Sequence, residues 1–133
     1  MSAYKLKLIR IKNGCNREDF MIWYEQHLAI ACHEGYLDIL TSVIDHAVGE
    51  RLKNSKSNTT EALIKADCVN LNAKAYSHLT LIASEDKTVA RLVRNAKTDE
   101  FSNGDCHEAW KKLMKKFMPA TSSEKRKLEK RFA

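Results

Sequence analysis

Turn-forming residues are scarce in this sequence, which has four glycines and one proline among 133 residues. A β-sandwich or barrel needs such residues at most of its strand junctions, so their scarcity favours helices. The length suits one domain with a single modest core. With 44% hydrophobic and 30% charged residues, the chain has the composition of neither a disordered polyelectrolyte nor a membrane protein. We therefore expect an all-α fold, a compact helical bundle.

The first part of the chain contains one clear helix pattern, preceded by a basic segment. The opening KLKLIRIKNG ends in Asn13-Gly14, a common turn pair, and we expect a short extended arm before that turn. Asn16 is a good N-cap and Gly35 a common C-terminal stop, so a helix is predicted between them. Its apolar residues recur at helical spacing: Phe20, Trp23, Tyr24, His27, Leu28, Ala31 and Cys32.

Two helical segments are predicted in the middle of the chain. YLDILTSVIDHAVGERL predicts a short helix or two helical turns, because β-branched residues and Gly49 interrupt its apolar pattern. After the polar loop KNSKSNTT, a long helix is expected from about Thr60 to Ser84. Its apolar residues lie both on a main stripe (Leu63, Ala66, Leu71, Ala75, Leu79 and Ile82) and off it (Val69, Tyr76 and Leu81). We therefore expect this helix to be buried on more than one side.

Two more helices follow the long one. Ser84 is expected to cap the first, with Glu85 and Asp86 in its first turn. Asp105 is expected to cap the second, and Pro119 to end it. The apolar stripe of this second helix consists of Trp110, Leu113, Met114 and Phe117.

The end of the chain has the form of another helix start. Thr121–Glu124 matches a capping box, which predicts a helix from about Ser122. That helix would offer only Leu128 and Phe132 as apolar anchors. We expect it to be the start of a further helical unit that is truncated in this chain.

The formal net charge of +6 is concentrated near the C-terminus. Residues 110–133 carry nine Lys or Arg against two Glu: Lys111, Lys112, Lys115, Lys116, Lys125, Arg126, Lys127, Lys130 and Arg131. Lysines opposite an apolar stripe are the normal solvated face of an amphipathic helix. However, residues 109–123 contain no acidic residue, which favours weak electrostatic contact with nucleic acid, without base readout. The sequence leaves both interpretations open.

Neither the cysteines nor the histidines form a recognisable chemical site in the sequence. Cys15, Cys32, Cys68 and Cys106 are far apart, so no zinc spacing or disulfide framework is predicted. The adjacent Cys-His pairs at 32–33 and 106–107 would point about 100° apart on a helix, poorly placed as nucleophile and base. We expect small buried cysteines and surface histidines, with His78 in the core or at an interface. No catalytic residue, metal ligand, cofactor or small-molecule substrate is predicted.

The sequence also favours a particular compartment. It has no signal peptide and no apolar run of membrane-spanning length, and Ser2 stands where N-myristoylation would need glycine. Unpaired, scattered cysteines suit the reducing cytosol or nucleus. We therefore expect a cytoplasmic or nuclear protein without a membrane partner.

Three segments, taken in order, resemble the capsid region of Gag from copia-type LTR retrotransposons. REDFMIWYEQHLAIACHEGYLDIL resembles the early segment of that family, in which Phe20 and Trp23 form an aromatic-x-x-Trp pair. AYSHLTLIAS, with Tyr76 and Leu79, resembles its central helix. The most specific segment is LVRNAKTDEFSNGDCHEAWKKLMKKFMPATSSEKRKLEKRF, which contains Ala-Trp-x-x-Leu at Trp110 and Leu113, followed by Phe117 and Pro-x-Thr. The sequence departs from the family at Met114 and Phe117-Met118, and is only weakly similar from 45 to 70.

The resemblance implies a domain organisation and a function. Residues 1–118 would form a bundle like a retroviral-type capsid N-terminal lobe, 119–121 a hinge at Pro119, and 122–133 the start of a C-terminal lobe. Such Gag proteins assemble into virus-like particles that package element RNA. The motif residues would then be fold-forming core. Many family members carry a zinc knuckle further along, but this sequence contains none.

We therefore expect a structural, non-enzymatic protein that forms homo-oligomers, with the short early helices as the contact surface. Two alternatives remain open. One is a basic helical module that binds nucleic acid through the C-terminal segment. The other is a host-domesticated Gag acting as an adaptor or restriction factor.

Overall fold

The computed structural model describes residues 7–55 and 59–118 as a bundle of six α-helices, with no strand in those ranges. They are α1 (Arg17–Glu34), α2 (Leu37–Thr41), α3 (Ile44–Lys53), α4 (Glu61–Ile82), α5 (Lys87–Arg94) and α6 (Cys106–Phe117). The expected all-α class is confirmed. The Pro119 hinge, the helix predicted from Ser122 and the basic residues 125–131 lie outside the described residues.

The caps of α1, α4 and α6 agree with the sequence analysis. The Asn16 side chain accepts a hydrogen bond from the Asp19 amide at 2.8 Å, and Gly35 ends α1 in the left-handed conformation with φ 83°. The side chains of Thr60 and Asp105 cap α4 and α6 in the same manner. Each cap satisfies a helix amide that would otherwise lack a partner, so these local signals were sufficient to place the helix starts.

Residues 7–12 form neither a helix nor a strand and lie against the bundle. The Ile11 amide donates to the Ile82 carbonyl at 3.0 Å, and the Trp23 Nε1–H donates to the Ile9 carbonyl at 2.8 Å. The Ile11 side chain is fully buried. A turn at Asn13-Gly14 then leads to α1. Leu8 also packs against the core, and Arg10 pairs with Glu85 at 3.9 Å, so the arm is anchored by both apolar and polar contacts.

The segment after Gly35 forms two separate helices, α2 and α3, and not a single short one. Ser42 adopts an extended conformation between them, with φ −140° and ψ 165°. Gly49 lies inside α3, where a side chain would meet open space. Tyr36, which precedes α2, is fully buried although it was not expected in the core.

The prediction that α4 is buried on more than one side was wrong. A single stripe is buried, consisting of Ile64, Cys68, Asn72, Ala75, Leu79 and Ile82. The opposite side faces solvent, and Val69 and Leu81 are 40% and 53% exposed there. The reason is that α2, α3, α5 and α6 all pack on the buried side of α4. Apolar content alone did not show where the neighbouring helices lie.

The expected N-cap of α5 was also wrong by two residues. Asp86, and not Ser84, caps this helix, because its Oδ1 accepts from the amides of Thr88 and Val89 at 2.9 and 3.1 Å. The Ser84 hydroxyl instead donates to the Leu81 carbonyl at the end of α4. A carboxylate at this position also favours the positive N-terminal end of the helix.

Candidate functional site

Four of the motif residues, from the first and last motifs, lie together in one aromatic cluster. Phe20 stacks on Phe117 with ring centroids 4.4 Å apart, and Trp23 lies 5.9 Å from Trp110. Leu79 and Leu113 are fully buried, whereas Tyr76 is half-buried and donates its hydroxyl to the Val93 carbonyl at 2.7 Å. The cluster joins α1 to α6 and forms much of the core.

His27 lies inside this cluster, as its place on the stripe of α1 indicated, and not on the surface where histidines were otherwise expected. Its ring stacks on Trp23 at 5.0 Å and lies 5.9 Å from Trp110. Neither ring nitrogen has a hydrogen-bond partner in the described part of the chain. Burial lowers the pKa of His27 to about 4, and nearby His78 adds to this effect. The imidazole is therefore neutral at neutral pH and behaves as a flat apolar ring.

His78 and Tyr36 form a second contact next to the cluster. The Tyr36 hydroxyl and His78 Nδ1 are 2.8 Å apart, which places His78 at the edge of the core. Burial raises the pKa of Tyr36 far above its ordinary value and lowers the pKa of His78. Both side chains are therefore neutral, and the pair joins α4 to the start of α2.

The cysteines of the two Cys-His pairs lie in different surroundings. Cys106 is fully buried, its Sγ lies 3.5 Å from the Ile39 carbonyl, and burial raises its pKa to about 12. His107 Nδ1 lies 2.9 Å from the Leu40 carbonyl, so this ring nitrogen contacts the backbone of α2. Cys32, by contrast, is exposed. Within residues 7–55 and 59–118, no group of three or more potential metal ligands converges.

The structure modifies the interpretation of the basic face of α6. Lys111 Nζ lies 3.1 Å from Glu108 Oε2, so an acid from the preceding turn compensates it. Lys116 Nζ lies 5.5 Å from the centroid of the Phe117 ring. The pKa of Asp86 on the neighbouring helix cap is lowered mainly by the hydrogen bond from the Val89 amide, and the charge of Lys116 adds a smaller effect. Lys112 is half-buried and Lys115 exposed. Residues 109–123 contain no acid, but Glu108 lies beside Lys111 and Asp86 is close enough to interact with Lys116. These two lysines are therefore less isolated from negative charge than the sequence suggested.

Two polar residues that join the helices were not identified from the sequence. Asn72 is buried, donates Nδ2 to the Gly104 carbonyl at 3.0 Å, and accepts from the Cys106 amide at 2.9 Å. Arg51 on α3 contacts Asp38 and Asp67 with its guanidinium. Both act through contacts between segments far apart in sequence, for which the sequence contains no local signal.

Two of the open grooves on the described surface lie beside exposed apolar side chains. One groove of about 260 Å³ lies between the arm and α1, where Ile9 and Ile22 are exposed. The other, of about 400 Å³, lies between α4 and the loop before α6, next to Phe101. Among the large apolar side chains, those with the highest exposed fraction are Ile22, Val43, Leu63, Val69 and Leu81. They lie on the outside of α1 and α4 and before α3, so apolar surface is available on several sides.

Comparisons with known proteins identify no relative of this chain. Among the described residues, no helix has the length and apolar character required to cross a bilayer. No protein-family model, curated protein or solved structure matches the chain.

Proposed function

We propose that this chain is a structural assembly protein, the capsid region of a copia-type Gag, which self-associates into virus-like particles that package element RNA. The observation that carries the proposal is the convergence of the motif residues. Phe20 and Trp23, from the first motif, contact Phe117 and Trp110, from the last. Motifs that lie far apart in sequence and meet in one core are expected if they mark a shared fold, since residues of one fold then pack on one another.

The exposed apolar surface supports self-association in particular. Leu63 is 63% exposed, Ile22 60% and Val43 57%, and each would be removed from water by a neighbouring copy. Homo-oligomers with symmetric or quasi-symmetric contacts are the usual way for a chain to cover such surface with itself. A modest area in each contact is sufficient when many contacts form in one shell.

The test is assembly of the purified protein. We expect concentration-dependent oligomers by light scattering and closed particles by electron microscopy, more readily at high salt, where repulsion between the positively charged copies is screened. A strictly monomeric protein at high concentration and high salt would contradict the proposal. If genes for a protease and a reverse transcriptase follow in the same reading frame, the chain belongs to an active element and not to a host-domesticated adaptor.

RNA contact is a separate part of the proposal, supported by the lysines on the outer side of α6. Replacing Lys112, Lys115 and Lys116 with Gln should reduce RNA retention without unfolding the domain, because these side chains lie outside the core. Retention in the unmodified protein should fall steeply between low and physiological salt. A matched control is Lys53→Gln on α3, which removes one charge far from this face. Equal RNA retention in the triple variant and the unmodified protein would exclude the role of α6.

A further inference from the structure

The outer side of α4 carries no charge along its whole length. We define the outer face of α4 as nine exposed residues: Ala62, Leu63, Ala66, Val69, Asn70, Ala73, Ser77, Thr80 and Leu81. The four charged residues of this helix, Glu61, Lys65, Asp67 and Lys74, lie outside this face. The solvent side of a surface helix is normally charged. The outer face of α4 therefore has the composition of a contact surface and not of a solvated one.

The spacing of residues on this face suits a second helix. Leu63, Ala66, Asn70, Ala73 and Ser77 follow one another at intervals of three or four residues, the spacing of a coiled-coil seam. Leu63 and Leu81 are 18 residues apart, which is five turns, so they point in one direction about 27 Å apart. Small side chains lie between them. A partner helix could therefore approach closely in the middle and contact a leucine at each end.

We propose that the occupant of this face is the outer face of α4 of a second copy, packed antiparallel about a two-fold axis near Ala73. This inference rests on the proposed self-association and identifies its first contact. It places the primary contact on α4 and not on the short early helices. In this arrangement Leu63 of one copy lies beside the partner's Leu81, and Ala73 lies beside the partner's Ala73.

Charge complementarity selects the antiparallel orientation. Asp67 and Lys74 are seven residues apart, so they lie on the same flank of α4, on either side of its midpoint. In an antiparallel pair each flank faces the same flank of the partner, which brings Asp67 within about one turn of the partner's Lys74. The Asp67 side chain is 65% exposed and that of Lys74 is 42% exposed, so both can make this contact beside their pairs with Arg51 and Glu34.

The area of such a contact agrees with a role in assembly. Two helices of this length bury on the order of 1,000 Å² in total, at the low end for specific interfaces. The groove beside Val69 and Ala73 extends the apolar surface to Phe101. A pair of this size is weak alone and becomes strong when each copy also contacts other neighbours.

Sedimentation velocity of the full chain tests whether self-association depends on the outer face of α4. Ala73→Glu places a charge at the centre of the outer face of α4 and should weaken self-association at least tenfold. The matched control Ala29→Glu makes the same change at an exposed position of α1 and should leave α4-mediated pairing intact. If the unmodified protein associates and Ala73→Glu associates equally well, the inference fails while the proposed function stands. If the unmodified protein stays monomeric, both fail.

Disulfide crosslinking tests the orientation without relying on a disruptive variant. With Cys15 and Cys32 replaced by serine, Ala73→Cys should crosslink to itself under mild oxidation. Leu63→Cys should crosslink with Leu81→Cys when the two variants are mixed, and not with itself, since only antiparallel packing places the two positions side by side. Efficient self-crosslinking of Leu63→Cys, or none at position 73, would overturn the antiparallel pair.

Discussion

Arg51 and Asp38 form a two-pronged ion pair between α3 and α2, with Nε–Oδ2 at 2.7 Å and Nη2–Oδ1 at 2.8 Å. The same guanidinium donates to the Gly35 carbonyl at 2.9 Å and to Asp67 at 3.3 Å. One side chain therefore joins the end of α1 and parts of α2, α3 and α4. The planar fork of arginine suits this geometry, which a lysine ammonium cannot reproduce.

Replacing Arg51 with lysine should lower the free energy of unfolding by about 2 kcal/mol, because the charge remains but the forked hydrogen bonds are lost. Urea denaturation measures the change. Lys53→Met, on the exposed side of the same helix, is the control and should change stability by less than about 0.5 kcal/mol. A double-mutant cycle with Asp38→Asn should give a coupling of about 1 kcal/mol or more. Strict additivity would show that the pair contributes little.

Gly104 and Gly49 should respond in opposite ways to alanine. Gly104 has φ 139°, and a Cβ there would overlap the Tyr76 ring, so Gly104→Ala should destabilise by roughly 3 kcal/mol. Gly49 lies in α3 with open space around its Cα, so Gly49→Ala should stabilise by about 0.5–1 kcal/mol. Thermal unfolding monitored by circular dichroism compares the two variants directly. A neutral Gly104→Ala would contradict the close packing of Tyr76 on this loop.

His27 should make the fold sensitive to acid. The folded protein protonates His27 only near pH 4, whereas the unfolded chain does so near pH 6.5. Between these values the unfolded state binds the extra proton, so stability is full above about pH 6.5 and falls by about 3 kcal/mol as the pH drops to about 4. His78 from α4 and Tyr36 are the titratable groups that face it.

The variant His27→Phe tests whether His27 causes the loss of stability at low pH, because phenylalanine retains a flat ring and cannot be protonated. Its stability, from urea titrations between pH 4 and 7, should vary less with pH than that of the unmodified protein. His46→Gln, at an exposed position on α3, is the matched control and should retain the full dependence. An unchanged slope in His27→Phe would assign the acid sensitivity to other groups.

Asn72→Ala should destabilise by about 2–4 kcal/mol. The change leaves the Gly104 carbonyl and the Cys106 amide without partners in a buried setting, and each unsatisfied group carries a desolvation cost. Asn70→Ala, two residues earlier and exposed, should be neutral or slightly stabilising, since alanine is the better helix former. Hydrogen exchange at the Cys106 amide should accelerate in Asn72→Ala only.

The helix starts were largely predictable from the sequence because caps are local. Asn16, Thr60 and Asp105 each satisfy amides within three residues, so the sequence alone carries the signal. At α5 the expected cap Ser84 was wrong, because the Ser84 hydroxyl bonds to the end of α4 and Asp86 caps the helix two residues later. Such a competition is not visible in a local pattern.

The exposed side of α4 and the polar contacts between helices were less predictable than the helix starts. The apolar residues of α4 suggested burial on both sides, but only the neighbouring helices determine which side is covered. The outer side also lacks charge, and this pattern can be recognised in the sequence once the buried side of the helix is known. Arg51 and Asn72 could not be identified because their partners are 13 or more positions away. For the basic segment, only the lysines of α6 lie within the described residues.

The contact between Phe20 and Phe117 has a consequence for synthesis on the ribosome. The two rings are 97 positions apart, so α1 emerges long before the residue that covers its aromatic face. Pairs of such wide separation close late, because the intervening chain must first be ordered. The nascent chain is therefore expected to carry an uncovered apolar surface until α6 has left the exit tunnel, and exposed surface of this kind favours aggregation.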